Sequence, residues 1–129
     1  TTISQAFRTG RTAISSGVLI DVPEQVSIIQ TEVKRMLAGM AIHYLNSTKQ
    51  KVADGESQNK VNHYLSEAWA FIYGMQFCQE PDMSPNAVAE KLAQIDADFE
   101  GFSQSTVLIN EMIDDIALAS GLEAFKNDL

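Results

Sequence analysis

Two imidazoles and a carboxylate are the side chains best placed to do chemistry in this sequence: His43, His63 and Glu67. His63 and Glu67 lie four residues apart, one turn of a helix, so a helical His63-Tyr-Leu-Ser-Glu67-Ala-Trp69-Ala-Phe-Ile-Tyr-Gly74 sets them on one face. A turn centred near Gly55 would fold equal distances on either side onto each other, which puts residue 43 opposite residue 67. Neutral imidazoles and a carboxylate converging between helices form a ligand set for iron, zinc or copper. Glu111, Asp114 and Asp115 are acids that would complete the shell. The plainer alternative is a buried polar network in which the same groups hydrogen-bond one another and fix the register of two helices.

Other chemistry finds less support. Asp96-Ala-Asp98-Phe-Glu100-Gly101 imitates the start of a calcium loop, but the twelfth position, which needs a bidentate Glu, is Val107. An acidic helix end accounts for it better. Cys78 has no His or Lys set beside it by helical spacing and reads as a buried, inert thiol. The serines gather where helices should end, and no glycine-rich phosphate loop occurs. The five methionines sit on apolar stripes and read as core filling. Nothing marks an enzyme.

Helices must position these groups, because apolar residues recur at three and four throughout and never alternate long enough for a strand. Ile3, Phe7, Ile14 and Val18 are spaced for a short first helix, with Gly10 at the fourth place in the stripe. Pro23 suits the first turn of a second, whose Val26, Ile29, Val33, Met36 and Met40 read as a bundle seam with His43 next in line. That helix is expected to fade at Asn46-Ser47-Thr48, leaving Lys49 to Gly55 as a frayed end and turn. A third helix is expected from about Glu56 to Gln79. Tyr64, Ala68, Phe71 and Met75 form its stripe, and Trp69 and Phe71 are expected in the core. Ser84-Pro85 caps a fourth helix carrying Val88, Leu92, Ile95, Phe99 and Phe102. A fifth runs through Leu108 to Ala117 and stops at Gly121, with Leu122 and Phe125 folding back. Short connections make neighbours antiparallel. The expected fold is all-α: one up-and-down helical bundle over 1–129, four main helices after a shorter N-terminal one.

Charge narrows the partners. With 17 acidic and 9 basic residues the formal charge is −8, which disfavours nucleic acid and anionic membrane surfaces as partners. No apolar run approaches the roughly 18 residues of a membrane span. One cysteine excludes an internal disulfide. The start at Thr1-Thr2-Ile3 is expected of a processed mature end or an excised piece.

The pairing of Ala41-Ile-His-Tyr-Leu45 with His63-Tyr-Leu-Ser-Glu-Ala-Trp-Ala-Phe-Ile-Tyr-Gly74 resembles the imelysin-like group. It is most similar to algal high-CO2-inducible iron-assimilation proteins and their bacterial lipoprotein relatives. The resemblance implies an all-helical, secreted, periplasmic or surface-attached protein linked to iron uptake, and it carries over the positions of His63, Glu67 and Trp69. Such proteins are longer and often built from repeated units, so this chain would be a single unit or a relative recruited for another job. Two functions follow as expectations. The first is an extracytoplasmic, non-catalytic metal-binding module of iron-acquisition type, holding iron or another transition metal through His43, His63 and Glu67. The second is a helical protein–protein interaction module, an oligomer or a unit of a larger assembly.

Overall fold

A computed structural model describes residues 2–129. Six α-helices follow in order: α1 (Ile3–Ser16), α2 (Val22–Ala53), α3 (Gln58–Met75), α4 (Pro85–Ala97), α5 (Phe99–Gln104) and α6 (Thr106–Ser120). A single 3-10 turn, Leu19–Asp21, precedes α2, and no strand occurs among the described residues. The fold is an all-α helical bundle.

Local chemistry sets most of the boundaries. Gly17 and Gly121, at φ 74° and 67°, end α1 and α6 in the left-handed conformation that glycine adopts without strain. Ser84 accepts a hydrogen bond from the Ala87 N–H and Pro85 takes the first helical position, as the sequence implies. Three boundaries differ from expectation, one of them the end of α3, which stops at Met75 instead of Gln79. α2 does not fade at Asn46 but runs to Ala53, because its polar residues there have partners. The Thr48 hydroxyl donates to the Tyr44 carbonyl at 2.8 Å, and the Asn46 amide donates to the carbonyls of Lys126 and Leu129 at 2.7 and 3.2 Å. The expected fourth helix is two: Asp98 leaves helical backbone and its carboxylate accepts from the Gly101 N–H, capping α5.

The core lies where α2, α3, α4, α5 and α6 meet. Ala38, Ala41, Ile42 and Leu45 of α2 face Leu65, Ala68 and Ile72 of α3, with Ile95, Phe102, Ile109 and Ile116 closing around them. Alanines at the α2 contact bring the neighbouring backbones close. Trp69 and Phe71 are not part of this fully buried set: both are half-buried and pack against its edge. Phe125 is exposed while Leu122 is buried, so the C-terminal turns fold back through Leu122 alone of the two.

At 1.5 Å per residue α2 is about 48 Å long and α3 about 27 Å. α2 therefore overhangs the bundle, and α1 packs on that overhang. Their contact is made by small residues. Ala6 and Ala13 are buried, and a Cβ on Gly10 would lie 3.5 Å from the Gln25 Cβ. The stripe of large residues on α1 points away from that contact: Phe7 is 57% and Ile14 60% exposed. No described helix is long and apolar enough to cross a membrane.

Candidate functional site

α2 and α3 pair in the register that a turn at Gly55 implies. Tyr44 stacks on Phe71 with ring centroids 5.6 Å apart, lies 6.1 Å from Tyr64, and Lys51 Nζ sits 5.5 Å from the Tyr64 centroid. Position 44 is thus level with the middle of the 64–71 stretch. The rotation of α2 about its own axis decides the rest. Ala41, Ile42 and Leu45 turn inward, and His43, about 100° away from its neighbours, turns out. His43 is exposed, its ring edge-on to Tyr44 at 5.4 Å; His63 is exposed, edge-on to Tyr64 at 5.6 Å; Glu67 is half-buried.

The structure does not gather His43, His63 and Glu67. Among the described residues no group of three or more His, Cys, Asp or Glu is placed to hold a metal ion. Of the helix α6 acids proposed to complete a shell, Asp114 pairs with Lys126 and Asp115 with Lys91. Both imidazoles face solvent rather than the core. Among the described residues no buried side-chain nitrogen or oxygen lacks a hydrogen-bond partner, so no orphaned group marks a hidden site. His43→Ala and His63→Ala should each change stability by less than about 0.5 kcal/mol, as exposed substitutions do. Thermal melts with and without Zn2+ or Fe2+ check this: a metal-dependent rise for wild type that is lost in His63→Ala would restore the site.

A different surface stands out. α2 carries two apolar faces. One, through Ala38, Ala41, Ile42 and Leu45, is in the core; the other is the seam Val22, Val26, Ile29, Val33, Met36 and Met40, and it runs along the outside. Val26 and Met36 are exposed, Met36 at 54%, and the other four are half-buried. Two grooves lie along this seam. Between α2 and the C-terminal turns a cavity of about 700 Å³ is lined by Met36, Met40, Leu122, Phe125 and Leu129, with Glu32, Arg35, His43 and Asp128 also on its walls. Between α1 and the start of α2 a second, of about 300 Å³, is lined by Phe7, Ile14, Val22, Val26 and Ile29.

The spacing along the seam is four, three, four, three, four, a strict heptad pattern over most of three repeats. The sequence reveals the pattern but assigns it to the core. Charge around it is nearly balanced. Residues 1–43 hold Arg8, Arg11, Lys34 and Arg35 against Asp21, Glu24 and Glu32, a net of +1. Residues 44–129 hold the other five basic and fourteen acidic residues, a net of −9. Arg35 lies 3.9 Å from Glu32, and Lys34 pairs with Asp82 at 3.1 Å while donating to the Glu80 carbonyl at 2.9 Å. The strongly acidic character of the protein belongs to the bundle and not to the seam.

A family model described as a domain of unknown function, DUF4856, matches residues 1–122. No curated protein and no solved structure matches the chain.

Proposed function

The chain belongs to the DUF4856 family, and from that premise we propose that it is a non-catalytic helix-docking module, taking an amphipathic α-helix along the outer face of α2. One observation carries the reading: all the seam residues but Val33 line two successive grooves, while the opposite face of the helix, from Ala38 onward, is buried in the core. An a/d seam at period 3.5 is complementary to another helix of the same period, whose apolar knobs enter holes between its residues. Methionines at Met36 and Met40 add a pliable, polarisable floor that adapts to the side chains placed on it. Gly39 and Gly121 leave the groove walls without side-chain bulk.

The metal-binding role implied by the resemblance to imelysin-like proteins has no gathered ligand set here, so the side chains favour the interaction reading. The same resemblance places the module outside the cytoplasm. A fluorescein-labelled designed peptide of four heptads, apolar at a and d and charged elsewhere, is the probe. Its anisotropy should rise on titration with the protein. Val26→Lys and Met40→Lys should each weaken binding about tenfold or more, equivalent to about 1.4 kcal/mol. Leu118→Lys, at an exposed position on α6, should leave binding unchanged. No binding, or equal binding by all variants, would overturn the proposal.

A further inference from the structure

Docking along α2 leaves the identity of the incoming helix open, and the register of the seam narrows it. Resting on the docking reading, and from the seam's spacing and the charge around it, we infer that the helix that docks on α2 is the α2 of a second copy, running antiparallel, so that two α1–α2 hairpins close into a four-helix bundle.

The seam is self-complementary. In an antiparallel pair of heptad helices, a positions of one meet d positions of the other. Val26, Val33 and Met40 occupy one set and Val22, Ile29 and Met36 the other. Centred on residue 31, the antiparallel arrangement matches Val22 with Met40 of the second copy, Val26 with Met36, and Ile29 with Val33. Each match occurs twice. Every seam residue then has a partner of the opposite set, which a two-fold contact requires because one patch must serve both subunits. Large residues oppose smaller ones in the outer layers, Met against Val, so the layers keep similar volume.

α1 supplies the second layer. Its small residues are used up against α2, and the large ones, Phe7 and Ile14, stand exposed beside the groove that Val22, Val26 and Ile29 line. A second hairpin laid on the seam covers them. The face is about 27 Å long, from the rise per residue, and two helices of about 10 Å make it on the order of 600 Å² per copy. Two copies together bury on the order of 1,200 Å², the lower edge of specific dimer interfaces.

Charge favours the same geometry. The hairpin region is at +1 and the rest of the chain at −9. Contact through the hairpins sets the two near-neutral regions together and leaves the two acidic bundles at opposite ends, where their repulsion is most screened. Contact through any bundle face would oppose two acidic surfaces.

Sedimentation velocity of the purified chain from about 10 to about 500 µM, the range in which an interface at this lower edge of size is expected to associate, should show conversion from monomer to dimer. Val26→Lys and Met36→Glu alter exposed side chains, so both should fold with wild-type circular dichroism, and each alone should sediment as a monomer. Mixed together they should form a heterodimer, because the proposed register sets Lys at 26 against Glu at 36 of the second copy. Leu118→Lys should dimerise as wild type does. A dimer that persists in both single variants, or a mixture that stays monomeric, overturns the interface. A wild-type chain that stays monomeric yet binds the designed peptide overturns self-association and leaves the docking reading standing. A chain that does neither overturns both.

Discussion

Replacing Leu45 by alanine should lower the free energy of unfolding by about 3 kcal/mol, within the range for leucine-to-alanine changes in a core. Leu45 is fully buried on the inner face of α2, in the cluster that contains Leu65, Ile72 and Ile116. The substitution removes the transfer free energy of the lost methyl groups and leaves a void that α2 cannot collapse into, since Ala41 and Ile42 already hold it against its neighbours. Met36→Ala, on the outer face of the same helix, should cost less than about 1 kcal/mol in the isolated chain because most of that side chain is already in water. Urea unfolding followed by circular dichroism measures both. Equal costs at the two positions would mean that the inner and outer faces of α2 have been exchanged.

Trp69→Ala should be the largest effect at the edge of the core, about 2 kcal/mol. Full burial would predict 3–5 kcal/mol, but the indole is only half-buried. Its Nε1–H donates to Asp96 Oδ1 at 3.0 Å, tying α3 to α4, and its ring stacks on Tyr73 with centroids 5.3 Å apart. Trp69→Phe keeps most of the stack and loses the hydrogen bond, so about 1 kcal/mol is expected, the net worth of one such bond. The same pair of unfolding experiments separates packing from hydrogen bonding. A Trp69→Phe loss as large as that of Trp69→Ala would assign the whole effect to the bond with Asp96.

Which parts of this were legible in the sequence has a physical explanation. Helix existence was, because period and breakers agree: Gly17, Ser84-Pro85 and Gly121 act where their backbone preferences say they should. The pairing of α2 with α3 along their axes was also legible, since a short turn at Gly55 leaves little freedom in register. Rotation about those axes was not. α2 has two apolar stripes, and periodicity alone does not say which one faces the bundle. The larger residues of Val26 to Met40 looked like a core, whereas Ala38 and Ala41 permit the closer approach that the core uses. The same error placed His43 inside: a residue can be level with its partner and still point the other way. α1 repeats the lesson, with Ala6, Gly10 and Ala13 making the contact and Phe7 and Ile14 left outside. The Asp98 break stayed hidden because the apolar stripe of α4 continues through Phe102 as if one helix carried it.

The overhang of α2 gives a single helix two cooperativities. Its C-terminal half is clamped among α3, α5 and α6, so it opens only when the bundle does, at the full cost of global unfolding. Its N-terminal half is held by α1 through three small residues and by the contacts of Lys34 and Gln30 with the turn after α3. That half can detach and reform while the other stays intact, as a local fluctuation far below the global free energy. One unbroken rod thus divides into a fast-opening arm and a slow-opening stem, with the boundary near Leu37 and Ala38, where packing against the bundle begins.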